Sequence, residues 1–167
     1  MKHFILVPLL FFTLRLYAQE EIVKVGQHVP YFTIANQDRQ QIDSAAFKNK
    51  VVLINFFATW CGPCMKELPI LQSRVWEKYK DNNNFVLLVI GREHSEEEIS
   101  KFKKDHNFNL PMYPDKNRAV YSLFATQYIP RNFIIDKEGK VVFSSIGYSE
   151  NDFDNLVSTL KDLLDKK

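Results

Sequence analysis

An α/β architecture, with a central mixed sheet flanked by helices, is predicted by three features of the sequence. Two runs are almost unbroken apolar, VVLINFFA at 51–58 and FVLLVI at 85–90. That is the pattern of parallel strands covered on both faces, not of half-exposed strands with alternation. Between them Met65, Leu68, Leu71, Val75 and Tyr79 recur at steps of three and four, which gives a helix with one buried face. Strand, helix, strand in that order implies a right-handed parallel unit.

The chain opens with Lys2 and an apolar run at 4–14, then Tyr17 and Ala18 before a polar segment. This reads as a secretory signal at 1–18 ahead of a single domain at 19–167. The run is too short for a bilayer, which takes roughly 20 apolar residues, so a soluble mature product without stable membrane insertion is expected. Leu16, larger than the residue usual three positions before a cut, keeps an uncleaved anchor as the alternative. No cysteine lies near the cut to be acylated. Removing 1–18 takes away Lys2 and Arg15 and no acid, so 22 basic residues become 20 against 20 acidic ones. A neutral mature chain has no basic surplus for nucleic acid or an anionic membrane. A monomer is expected.

Segments 31–34 and 40–42 flank Asn36, Gln37 and Asp38, which reads as an N-terminal β-hairpin. Asp43 and Ser44 cap a single helical turn through Phe47, and the first apolar strand follows. The helix after it runs to about Lys80, with Pro69 removing one backbone hydrogen bond and kinking the axis. A polar turn at 81–84 leads into the second apolar strand. Ser95 and Glu98 form a capping box, and Ile99, Phe102 and His106 mark one face of another helix. Segment 110–114 returns the chain. A short helix at 117–124 turns Val120, Leu123 and Phe124 inward. Tyr128, Ile129 and Pro130 lead into the strand NFIID at 132–136, the proline at its entrance. Glu138 and Gly139 turn the chain into VVFSSI at 141–146, pairing antiparallel. Phe153, Leu156, Val157, Leu160 and Leu164 line one face of the last helix.

The only two cysteines lie in WCGPC at 60–64. Cys61 falls at a helix N-terminus, where free N–H groups and the helix dipole stabilise a thiolate, so it is the expected exposed nucleophile. Pro63 suits the first helical turn. Cys64, one turn along, can attack a mixed disulfide on Cys61 and is the resolving partner. Trp60 flanks the pair. With two cysteines three residues apart no disulfide framework exists, and in an exported protein the pair reads as a working disulfide. Zinc would need two more ligands, and His28, His94 and His106 are scattered. Haem attachment through CxxCH fails at Met65. Ile54 and Ala58 stand where peroxiredoxins carry proline and threonine. No cofactor or metal is expected beyond the redox-active Cys61–Cys64 disulfide.

The order of these elements resembles the thioredoxin superfamily across nearly the whole mature chain. The segment ATWCGPCMKELP, the helical insertion between Gly91 and Pro111 and the exported N-terminus look most like the TlpA/ResA branch of envelope thiol-disulfide oxidoreductases. The resemblance implies a thioredoxin-like fold with the N-terminal hairpin and the inserted helical segment between the central parallel strands and a cis-proline hairpin. It makes Cys61 the attacking thiol, Cys64 the resolving one and Pro130 a cis-proline, with Ile129 presenting backbone to substrates. Sequence alone gives trans, since only about 5–6% of X–Pro bonds in folded proteins are cis. Where thioredoxin has a buried acid on the central strand this chain has Asn55, and Glu67, one turn after Cys64, is the substitute base implied by the TlpA/ResA pattern. Its alternative is a solvated helix carboxylate. Arg131 stands where threonine is common; it could favour the Cys61 thiolate, select acidic partners or point into water.

The function expected is an exported thiol-disulfide oxidoreductase in the bacterial periplasm or cell envelope that reduces disulfides in client proteins, apocytochrome c among them by resemblance. Gly62 and Pro63 match the reducing members. A membrane electron donor must then recharge the dithiol. Oxidation or isomerisation would use the same residues, and a binding module or chaperone is the non-enzymatic alternative.

Overall fold

The computed structural model describes residues 21–35 and 40–165. The expected signal at 1–18 and the hairpin turn at Asn36, Gln37 and Asp38 lie outside them.

The two apolar runs become the centre of a five-stranded sheet. β3 (Val51–Phe57) is buried at every position, and β4 (Phe85–Arg92) pairs with it in parallel, Asn55 opposite Val89. β5 (Met112–Asp115) adds a third parallel strand outside β4. On the other side β6 (Arg131–Ile135) runs antiparallel to β3, and β7 (Val141–Ile146) antiparallel to β6, giving the order β5-β4-β3-β6-β7. The N-terminal hairpin forms as a separate ribbon of β1 (Thr33–Ala35) and β2 (Gln41–Asp43). Asp43 then caps a 3₁₀ turn at Ser44–Phe47 by accepting the Ala45 N–H.

Strands buried on both faces require two cores. Odd-numbered positions of β3 face a core closed by α1 (Gly62–Leu71) and its continuation, by α3 (Glu96–Asp105) and by α5 (Glu150–Asp165), through Leu68, Leu71, Ile99, Phe102, Phe153, Leu156 and Leu160. Even positions face Phe32, Ile34, Tyr121 and Phe124 from the hairpin and from α4 (Tyr121–Phe124). Phe56 is the hub there, with ring centroids 5.2 Å from Tyr121 and 5.3 Å from Phe124. Each such pair contributes about 0.5–1.5 kcal/mol beyond its buried area.

The motif helix reaches its expected end near Lys80, while several other expectations are corrected by this packing. The motif helix winds on past Pro69 to Leu71. A π-type turn at Gln72–Trp76 then carries it into α2 (Glu77–Tyr79), Glu77 N–H bonding the Gln72 carbonyl. Segment 110–114 overlaps a strand that its two prolines obscure; β5 sits at the sheet edge, where a missing donor is tolerated. The helix expected at 117–124 shrinks to four residues. Arg118 has φ +57°, and the Asp115 carboxylate takes the Val120 and Tyr121 N–H groups, starting the helix there. Val120 and Phe124 are buried as expected, Tyr121 joins them, and Leu123 is exposed. His106 is the C-cap of α3, exposed and lying over Phe102 instead of entering the core.

Candidate active site

The site forms where β3 ends. Cys61 N–H bonds the Ala58 carbonyl at 3.1 Å, a tight turn that delivers Cys61 to the N-cap of α1. Its Sγ accepts the Cys64 N–H at 3.2 Å, and the two sulfurs are joined as a disulfide. A backbone donor aimed at Sγ favours that sulfur as an anion once the bond is reduced. Cys61 keeps 5% of its surface and Cys64 none. The nucleophile is thus a narrow window and less open than expected, while Gly62 and Pro63 beside it are exposed.

The Ile129–Pro130 bond is cis, and the Ile129 carbonyl oxygen lies 3.6 Å from Cys61 Sγ. Ile129 is half-buried against both cores. Trp60 is 63% exposed, and Tyr128 and Ile146 are each about half exposed. A groove lined by Val29, Phe32, Phe47, Val52, Ile54 and Ile135 lies instead under the hairpin, and neither cysteine lines it.

Behind the cysteines is a buried polar group. Glu67, one turn after Cys64, is 1% exposed, so it is no solvated helix carboxylate. Asn55 on β3 and Asn132 on β6 are direct register partners, and both turn amides toward it. Asn132 Nδ2 donates to Glu67 Oε1 at 2.6 Å, Asn55 Nδ2 to the same oxygen at 3.3 Å and to Asn132 Oδ1 at 2.8 Å. Glu67 Oε2 has no hydrogen-bond partner. Burial pushes the Glu67 carboxyl up to about 7, against the smaller opposite pull of the Asn132 hydrogen bond. A carboxyl poised near neutrality can take a proton and give it back.

Arg131 takes none of the roles expected of it. It follows the cis-proline but projects to the opposite face of the sheet, fully buried. Its Nε donates to the Gln127 carbonyl at 2.8 Å, and its guanidinium pairs with Glu21 at 3.3 Å. Sequence reasoning also misses Asn132; its one signal is a polar residue heading an apolar strand. His94, a scattered histidine by sequence, is 4% exposed, and its Nε2 accepts the Thr59 N–H at 2.9 Å, directly beneath the WCGPC turn. Among the described residues no cluster of metal-ligating side chains exists and no helix is long and apolar enough to cross a membrane.

Comparison with known proteins agrees with this geometry. The Redoxin family model matches residues 24–164. The chain is 30% identical to a thiol-disulfide oxidoreductase ResA of Bacillus cereus over 131 residues, 78% of this chain and 75% of that protein. It is 29% identical to ResA of Bacillus subtilis (strain 168), over 75% and 69% of the two chains. Among solved structures, a candidate protein disulfide isomerase from Bacteroides thetaiotaomicron superposes with a TM-score of 0.84 at 34% identity, covering 89% of this chain and 95% of that one.

Proposed function

The chain belongs to the Redoxin family, as a ResA-like thiol-disulfide oxidoreductase of the thioredoxin superfamily, and from that premise we propose that it reduces disulfides in client proteins outside the cytoplasm. The observation carrying this reading is the asymmetry of the pair: Cys61 keeps a narrow opening beside exposed Gly62 and Pro63, and Cys64 is fully buried one helical turn before the buried acid Glu67.

In the proposed cycle the Cys61 thiolate attacks one sulfur of a client disulfide, forming a mixed disulfide and expelling one client thiolate. Glu67 takes the Cys64 proton. The Cys64 thiolate then attacks Cys61 Sγ, closes the intramolecular disulfide and expels the second client thiolate. The client gains two electrons and the enzyme loses two, which a membrane electron donor restores. Glu67, Asn55 and Asn132 serve the second step, while Trp60, Gly62, Pro63, Ile129 and Pro130 border the client. The apolar run at 4–14 supports export, and the family resemblance supports apocytochrome cysteines as clients.

Insulin reduction tests the reading. The wild type should precipitate insulin in the presence of a dithiol, and Cys61→Ser should fall to the uncatalysed rate; equal rates would reject it. The likeness to a candidate isomerase favours a second reading, isomerisation at the same residues. Equilibration against glutathione and stronger dithiols separates the two, about 30 mV being about 1.4 kcal/mol for this two-electron couple. A low potential supports the reductase and a high one the isomerase.

A further inference from the structure

The proposed cycle leaves one buried titratable group beside the cysteine loop unused. His94 follows β4, and its backbone N–H bonds the Gly91 carbonyl at 3.2 Å, folding the ring back toward the end of β3. The ring lies 6.3 Å from Phe57. Gly91 sits tightly under this turn, where a Cβ would crowd the end of the Ile99 side chain and meet His94 Cβ at 3.3 Å.

Thr59 N–H points at Nε2 across 2.9 Å, so Nε2 is the unprotonated nitrogen and Nδ1 carries the hydrogen. Nδ1 is buried, has no hydrogen-bond partner and lies 3.8 Å from the Glu98 carboxylate. That carboxylate is itself held by Ser95, through the backbone N–H at 2.7 Å and the hydroxyl at 2.9 Å. The imidazole therefore sits between the Glu98 carboxylate of the α3 capping box, 3.8 Å away, and the Thr59 N–H that it accepts, two residues before the nucleophile. The turn that Thr59 enters is the one that seats Cys61 on the helix N-terminus.

We propose that His94 is a positioning residue for Cys61: its neutral ring, accepting from Thr59, holds the loop in the geometry that activates the thiolate, and its imidazolium releases it. The inference rests on Cys61 being the attacking thiol. An imidazolium has donors on both nitrogens, so protonation turns an acceptor into a second donor facing the Thr59 N–H. The charged groups acting on the ring are Glu98, Glu93 and Arg92, with Lys116 acting on Glu98; β3 and the loop through Thr59 contribute none. Burial dominates and holds the ring below its usual range, so the neutral form prevails at neutral pH.

Two substitutions and one measurement on the wild type test this. His94→Leu removes the acceptor. His94→Gln offers an amide oxygen to Thr59 and an amide N–H₂ toward Glu98 but cannot titrate. Reduced protein is reacted with the aromatic disulfide DTNB from pH 5 to 8, and the Thr59 amide and the His94 ring are followed by NMR. H94L should slow the Cys61 reaction at pH 7.5 about tenfold, equivalent to about 1.4 kcal/mol. H94Q should restore it to within about twofold while losing the wild-type fall-off that tracks the ring. The Thr59 amide should shift with the same midpoint as the ring. No loss in H94L, no restoration by H94Q, or a Thr59 amide blind to the ring would each overturn the proposal. A wild-type Cys61 that fails to react at all would reject the oxidoreductase reading itself, and the Thr59 response still decides the role of His94.

Discussion

Glu67 has its environment in place of water, and two consequences follow at the scale of one residue. Its carboxyl is raised from 4.5 to about 7 by burial. The folded protein therefore keeps a proton that the unfolded chain has lost, and the resulting stability, fully present below pH 4.5, is lost as pH rises through about 7. The upper bound is about 3 kcal/mol. Glu67→Gln should remove this dependence, so that the wild type loses stability relative to the variant between about pH 4.5 and 8 in urea titrations. Parallel curves would mean an unshifted carboxyl. In stopped flow the same substitution should slow release of the mixed disulfide more than its formation. Glu67 was legible because the resemblance to the TlpA/ResA branch implies an acid there and a helix repeat sets it one turn past Cys64. Asn55 was legible as the residue in place of an acid, but Asn132 was not, because a strand sequence does not say which strand lies across from it.

At the scale of elements, a glycine sits tightly under the turn after β4. Ile99 and His94 both crowd the absent Cβ of Gly91. Gly91→Ala should cost about 1–3 kcal/mol through overpacking, read as a lower urea midpoint at unchanged slope. It should also displace His94, broadening or shifting the Thr59 amide; a Thr59 signal identical to the wild type would show that the turn absorbs the methyl elsewhere. The capping box of α3 was readable from Ser95 and Glu98 alone, since both partners lie within one turn. The short α4 escapes a sequence reading because its start depends on the Asp115 carboxylate and the left-handed Arg118, features that hydrophobic spacing does not encode.

Across the whole molecule, residues 21–23 are tied to the site's own strand. Glu21 bridges to Ala125, and Ile22 and Val23 both donate to the Phe124 carbonyl. The Glu21 carboxylate meets the fully buried Arg131, next to cis-Pro130. Removing one partner of a largely buried pair leaves an uncompensated charge. Glu21→Ala should lower stability by about 2 kcal/mol in urea denaturation, the figure discounted because the Glu21 side chain is 21% exposed. An unchanged midpoint would mean that solvent reaches Arg131. Its place after Pro130 left Arg131 open to favouring the Cys61 thiolate, selecting acidic partners or pointing into water. Alternation along β6 sends it instead to the opposite core, one residue before Asn132, which faces Glu67.

By itself the sequence determined the α/β order, the two buried strands, the motif helix and the chemistry of the cysteine pair. Those rest on periodicity, on local capping and on a spacing of three residues, all short-range along the chain. Tertiary structure decided the rest: the isomer at Pro130, the edge strand β5, the face taken by Arg131, and the meeting of Glu67 with Asn132 and of Thr59 with His94. Each joins residues distant in sequence, or turns on which side of a strand faces which core. Only the assembled sheet sets that, because strand register and burial are properties of the pairing and not of either strand alone.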